Sequence, residues 1–236
     1  MLTKDQNKAL LTVGKAASQN QDWAAYAAFC FAREKGLRKE AFAHLENFLQ
    51  QAAKWTTEQK IAFVRFLFPL IETVEAADQG PFPHPLSERL AKPTLEAWCG
   101  EEKKDSRPFR WYGTYYRSQE HILKAIELDP GDDRAHLRLI SWWMDAIYYS
   151  LHHLPESYIG EPAEDLRLAD AIQSHIDRLI DSTVRKNLTN NLSADRSLIQ
   201  NYIDWEAAGH ANFEQWGKEQ GKKVSYSSFG TYSFKN

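Results

Sequence analysis

Residues 133–154 constrain the fold of this chain more than any other stretch. Their large apolar side chains recur at steps of three and four, which is the spacing of one face of an α-helix; they are Leu137, Ile140, Met144, Ile147, Leu151 and Leu154. A second apolar line lies beside the first; it consists of Leu139, Trp143, Ala146 and Tyr149. A helix that is apolar on most sides needs neighbours on most sides. We therefore expect this helix to be central, with the helices before and after it packed around it.

The composition favours an all-α protein. Eleven glycines and nine prolines among 236 residues are few for an all-β chain, which would need many turns. The formal net charge of −3 lacks the basic excess of a general nucleic-acid binder. The length predicts one large domain or two small ones. No glycine-rich phosphate loop or dinucleotide fingerprint occurs, so no cofactor is predicted.

The expected location is cytoplasmic. The two cysteines, Cys30 and Cys99, lack the partner spacing of a metal site and are interpreted as reduced thiols. The N-terminus lacks the apolar core of a secretory signal. The most apolar window, residues 61–71, is too short to span a bilayer. We therefore expect neither a membrane nor a nucleic acid as partner.

Capping signals, such as Thr3 with Gln6 and Thr56 with Gln59, and apolar periodicity predict roughly nine helices. They cover residues 3–18, 23–35, 38–54, 56–77, 86–99, 109–128, 133–154, 164–186 and 193–220. The very short turn at Gly36 makes the second and third helices an antiparallel αα-hairpin. Residues 187–191 are predicted to break the chain between the last two helices.

A proline-rich stretch, residues 79–85, is the clearest candidate for a domain boundary. Its three prolines at alternate positions favour an extended backbone. The predicted organisation is an N-terminal helical unit (1–78), this linker (79–85), a C-terminal helical unit (86–221) and an extended tail (222–236), with one continuous domain as the alternative. The tail either covers a groove of its own helices or is exchanged with a second subunit in a homodimer.

Residues 124–135, KAIELDPGDDRA, resemble the junction between two tetratricopeptide repeats. In that family a helix ends in a small residue, an apolar pair and Asp-Pro, and the next repeat follows after a short polar turn. The matching positions are Ala125, Leu128, Asp129, Pro130 and Leu139. Residues 23–48 are similar in kind through Trp23, Gly36 and Ala41. The resemblance implies stacked antiparallel helical hairpins. Because a charged loop interrupts the pattern at residues 100–108, we predict an irregular, TPR-like superhelix.

The resemblance also implies a binding surface. In such repeat proteins the first helix of each repeat lines a groove, and basic residues there hold the acidic terminus of a peptide in some members. By this comparison the groove residues are Arg134, Arg138, Ser141 and Asp145. A guanidinium group can hold a carboxylate through two hydrogen bonds. The expected function is a non-catalytic module that binds a protein or peptide segment; the alternative for the two arginines is surface charge paired with Asp132 or Glu127.

Two other functions stay open. Asp145, His152, His153 and Glu156 have spacings from which helical bundles build metal sites, which would make the protein a metal-binding helical-bundle enzyme. Neither His-Glu-x-x-His nor Glu-x-x-His occurs, which counts against a metal site, so the non-catalytic binding module is favoured over this enzyme. The other function is a structural homo-oligomer joined through the tail. The pairs Trp142-Trp143 and Tyr148-Tyr149 are either core or an aromatic recognition groove.

Overall fold

The computed structural model of the protein describes residues 2–101 and 104–226. These residues form helices joined by short loops, and no β-strand occurs among them, so the all-α prediction is confirmed. The chain divides into two compact units, one up to Tyr112 and one from Gly113 onward. In the described ranges, no helix combines the length and the apolar character that crossing a membrane requires.

Pairs of packed helices build the first unit. Its helices are α1 (Lys4–Ala17), α2 (Ala24–Glu34), α3 (Arg38–Ala52), α4 (Thr57–Thr73), the short α5 (His84–Leu86) and α6 (Lys92–Glu101), with a π-helical turn at Ser87–Ala91. Thr3 and Thr56 both form the predicted capping boxes. α2 packs against α1 and α3. Gly36 makes the turn between α2 and α3 at φ +78°, so the predicted hairpin is confirmed.

The stretch predicted as a linker, residues 79–85, lies within the first unit. The hydroxyl of Tyr26 donates a hydrogen bond of 2.7 Å to the carbonyl oxygen of Pro81. The ring of Phe82 packs edge-on against the ring of Phe68, with 5.5 Å between their centroids. Prolines remove backbone donors but leave carbonyl groups and rings free to pack. The predicted extended backbone does not occur: the stretch forms turns and then starts α5 at His84. It is attached to the interior of this unit, and the division of the chain falls elsewhere.

The second unit is built around the helix predicted to be central. After α7 (Arg107–Tyr116), which runs across the division, it contains α8 (Gln119–Leu128), α9 (Asp133–Leu151), α10 (Pro162–Ile176), α11 (Ser182–Ala208) and α12 (Phe213–Gln220). α9 packs against α8, α10 and α11. Its N-cap is Asp132, whose carboxylate accepts hydrogen bonds from the backbone N–H groups of Arg134 and Ala135.

Only one face of α9 is buried, and the prediction that most of its sides are covered is wrong. Ile140, Ile147 and Leu139 are fully buried. In contrast, Tyr148 is 44% exposed and Tyr149 is 62% exposed. A tyrosine ring tolerates this position because its hydroxyl stays in water. The second apolar line of the sequence is therefore core at its start and surface at its end.

The prediction of one helix over residues 109–128 is also wrong. Arg117 adopts φ +54°. The N–H of Ser118 donates to the carbonyl oxygen of Gly113 at 3.0 Å, which is the bonding pattern of a helix end. Gly113 then lies directly against Ile122, where a Cβ would be 2.7 Å from the isoleucine side chain. The close packing of α7 on α8 requires both the break and the glycine.

Substituting this glycine should therefore destabilise the second unit. Gly113→Ala is expected to lower the free energy of unfolding by about 1–3 kcal/mol, because overpacked positions cost that much. The added Cβ would lie 2.9 Å from the backbone nitrogen of Ile122, which cannot rotate away. Denaturant unfolding measures the change. Gly100→Ala in α6 is the matched control, since nothing lies within 4 Å of its added Cβ; equal midpoints for the two variants would contradict the contact.

The break predicted at residues 187–191 does not occur. α11 runs through this stretch because Leu188 and Leu192, one turn apart, are both buried, and packing outweighs the weak helix propensity of asparagine. The helix starts at the N-cap Asp181 and ends at Gly209, which has φ +63°. The regions predicted as two helices, 164–186 and 193–220, thus form the three helices α10, α11 and α12. Together with the division of residues 109–128 and the separate α5, this gives the described chain more helices than the roughly nine predicted.

The predicted C-terminal tail is described in part. Residues 222–226 are neither helix nor strand. Residues 227–236 lie outside the described residues, so exchange of the tail with a second subunit stays a prediction.

Candidate functional site

The four residues predicted to line a groove lie on the outward face of α9. Arg134 and Asp145 are exposed, and Arg138 and Ser141 are half-buried. Their spacing of four, three and four residues aligns them along one side of the helix, away from the buried Ile140. The structure therefore brings all four residues onto one surface.

The charge on this surface changes sign along the helix. Arg134 and Arg138 lie in the first turns, and Asp145 lies about two turns beyond Arg138. In the part of the chain that the structure describes, Arg138 and Asp145 have no ion-pair partner. Of the acids considered as partners for the arginines, Glu127 forms an ion pair of 2.7 Å with Lys124. The half-buried guanidinium of Arg138 and the exposed carboxylate of Asp145 are thus available to groups of opposite charge.

Four aromatic side chains continue the surface beyond Asp145. Tyr148, Tyr149, His152 and His153 form what we call the aromatic end of α9. The ring of His152 stacks on the ring of Tyr148 at 5.4 Å and lies 4.1 Å from the ring of His153, measured between centroids. Its Nδ1 is 2.8 Å from the carbonyl oxygen of Tyr149 and therefore carries the proton. Such a surface suits an apolar or aromatic side chain of a partner.

The residues considered as a metal site do not form one. Within residues 2–101 and 104–226, no group of three or more His, Cys, Asp or Glu side chains is arranged to hold a metal ion. Among the four candidates, Nδ1 of His152 donates to the backbone and its ring is part of the aromatic end. Asp145, His153 and Glu156 are all exposed. The geometry gives the metal-binding alternative no support.

A buried histidine pair was not predicted from the sequence. His136 on α9 is fully buried, and its Nδ1 lies 2.8 Å from Nδ1 of His175 on α10. Its Nε2 lies 3.1 Å from the carbonyl oxygen of Pro130. A carbonyl can only accept, so His136 donates from Nε2 and accepts from His175 at Nδ1. Burial, followed by the effects of His136 and Arg178, lowers the pKa of His175 to about 4.

A buried carboxylate was also missed. Asp195 on α11 is 5% exposed. Burial raises the pKa of its carboxyl group to about 6, against the opposing effect of the positive charge on Lys223. The carboxylate also acts on the hydroxyl of Tyr226, since its charge is one of the causes that raise the pKa of that tyrosine. Sequence separation hides this group: Lys223 and Tyr226 lie well over twenty residues further along the chain.

Comparison of the chain with protein-family models gives no match, and comparison with curated proteins and with solved structures gives no significant match either.

Proposed function

We propose that the outward face of α9 binds a peptide segment of a partner protein, and that the chain is a non-catalytic interaction module. One observation carries this proposal: the four residues chosen by the repeat resemblance and the aromatic end of α9 lie on a single helix surface. Packed helix pairs make the rigid support that such a surface needs. As part of the same proposal, the scaffold that presents this surface is an irregular superhelix like that of tetratricopeptide repeats.

The order of groups on the surface defines the class of peptide. A carboxylate, either a side chain or the C-terminus, would pair with Arg134 and Arg138, because charge-assisted guanidinium–carboxylate bonds are strong and directional. An apolar or aromatic side chain would cover Tyr148 and Tyr149. From Arg134 to Tyr149 the helix rises about 22 Å. An extended segment of about seven residues has the same length.

Selection from a library of displayed seven-residue peptides tests this assignment. Enriched peptides should combine an acidic group at one end with an aromatic or large aliphatic residue at the other. Fluorescence polarisation then gives the affinity of each labelled peptide. Arg134→Glu/Arg138→Glu is expected to weaken binding by about tenfold or more, because the loss of one charge-assisted bond is worth ~1.5–3 kcal/mol.

A matched charge reversal elsewhere on the protein distinguishes the loss of contacts on the α9 surface from the effect of a changed net charge. Arg167 on α10 and Lys186 on α11 are both exposed, and neither lies on α9. Arg167→Glu/Lys186→Glu changes the net charge by the same amount and should leave the affinity nearly unchanged. Circular dichroism confirms that both double variants keep their helix content. If the two variants bound the selected peptides equally well, the assignment of the α9 surface would be wrong.

A further inference from the structure

The end of the described chain is held on the second unit by polar contacts. We call residues 222–226 the C-terminal segment. The ammonium group of Lys222 lies 2.6 Å from a carboxylate oxygen of Asp204 on α11. The side-chain amide of Asn201, also on α11, donates to the carbonyl oxygen of Lys223 at 2.9 Å. These contacts place the first two residues of the segment on α11.

An apolar contact continues the attachment. Val224 is buried, and its side chain lies on Gly217 of α12 so closely that a Cβ at position 217 would overlap it. Only a glycine leaves room for the valine there. The segment is therefore seated by shape as well as by charge.

The last described residue reaches the proposed binding surface. The ring of Tyr226 lies edge-on to the ring of Tyr148, with 5.3 Å between centroids and 66° between planes. The positive charge of Lys223 acts on the buried carboxylate of Asp195, and this carboxylate in turn acts on Tyr226. A side chain from the protein's own C-terminal segment thus covers part of the aromatic end of α9.

We infer that the C-terminal segment competes with the partner peptide: Tyr226 occupies the aromatic end of α9, and an aromatic side chain of the partner must displace it in order to bind. This inference rests on the proposed function and adds both the class of the partner residue and a means of regulation. An edge-on aromatic pair is a contact that another aromatic ring can reproduce. In competition of this kind, the apparent association constant equals the intrinsic constant multiplied by the fraction of molecules in which the surface is open.

Nitration by tetranitromethane tests the contact without any peptide. Tyr226→Ala removes the ring that covers Tyr148, so the nitration rate of Tyr148 should rise. Tyr149, which is 62% exposed, is the reference within the same molecule. Mass spectrometry of proteolytic fragments gives the rate at each position. An unchanged ratio of the Tyr148 rate to the Tyr149 rate would show that Tyr226 does not cover Tyr148 and would overturn the inference.

Peptide affinity tests the competition itself. Tyr226→Ala is expected to tighten binding of the selected peptides by about two- to tenfold, the range that an aromatic pair contributes. Tyr226→Phe keeps the ring and should bind like the wild type. Equal affinities for Tyr226→Ala and wild type, with binding still lost in Arg134→Glu/Arg138→Glu, would refute the competition and leave the proposed function standing. If Arg134→Glu/Arg138→Glu bound the peptides as tightly as the wild type, both the competition and the proposed function would be refuted.

Discussion

Ile140→Ala and Ile147→Ala are each expected to lower the free energy of unfolding of the second unit by about 2–5 kcal/mol, the cost of truncating a large aliphatic side chain in a core. Both isoleucines are fully buried on α9, and α8, α10 and α11 pack against that helix. Three neighbouring helices enclose the buried face of α9, and they cannot collapse into a new cavity there without losing other contacts. The expected cost therefore lies well above the typical effect of a surface substitution.

Urea unfolding followed by circular dichroism measures these changes. Because the two compact units can unfold in separate steps, hydrogen exchange of the α9 amides identifies the relevant step. Tyr149→Ala is the control on the same helix, and its effect should stay within about 0.5 kcal/mol, as is usual at exposed positions. An isoleucine variant as stable as this control would mean that α9 does not form the core of the second unit.

Asp195→Asn is expected to raise the free energy of unfolding at pH 8 by up to about 3 kcal/mol. The folded protein holds this carboxyl group at a pKa of about 6, whereas its ordinary pKa is 3.8. Each unit of that difference corresponds to about 1.4 kcal/mol of unfavourable charge burial above pH 6. Asparagine resembles the protonated acid in shape but carries no charge, so the cost disappears in the variant.

The sign of the pH dependence follows from the same shift. Between about pH 4 and pH 6 the folded protein binds a proton at Asp195 that the unfolded chain does not bind. Acidification across this range should therefore stabilise the folded state through Asp195. This stabilisation by the extra bound proton is absent above pH 6, where the carboxyl group is ionised in both the folded and the unfolded state.

His175 should act in the opposite direction over nearly the same range. Its pKa is about 4 in the folded protein and 6.5 ordinarily, so its contribution to stability is full above pH 6.5 and is lost as the pH falls to 4. Since the ring is partly open to solvent, screening reduces this effect to about 1–2 kcal/mol. The two groups lie on neighbouring helices, α10 and α11, and their contributions partly cancel in the wild type.

Single substitutions should separate the contributions of Asp195 and His175 to the pH dependence of the free energy of unfolding. Denaturant unfolding at several values between pH 4 and pH 8 would show Asp195→Asn losing stability on acidification, because the effect of His175 is no longer offset. His175→Gln should show the reverse, a gain on acidification. The double variant is the control: it lacks both titrating groups, so neither pH-dependent contribution to the free energy of unfolding should remain. A lower stability of Asp195→Asn than of wild type at pH 8 would indicate that attraction to Lys223 outweighs the cost of burial.

The sequence predicted those features that depend on neighbours along the chain. The capping boxes at Thr3 and Thr56 and the turn at Gly36 follow from residues within four positions of one another. The alignment of Arg134, Arg138, Ser141 and Asp145 on one side of α9 follows from the helical period alone. It also follows that the helix carries a buried line through Ile140 and Ile147, since apolar periodicity is a local property.

Features that depend on how helices pack were wrong or missed. Gly113 on α7 lies directly against Ile122 on α8, with a break between the two helices, and residues 187–191 stay helical because Leu188 and Leu192 are buried. Capping signals and apolar periodicity show neither the close contact nor the burial. The same reason hides the pair of His136 with His175 and the contact of Tyr226 with Tyr148.

The sequence by itself therefore determined the helical class, several helix ends and the line of candidate binding residues, because capping and periodicity act over one or two turns. Only the tertiary structure decided that one side of α9 stays uncovered, which acid is buried on α11 and where the C-terminal segment lies. Burial depends on which remote elements pack together, and that free energy is shared among residues that are far apart along the chain.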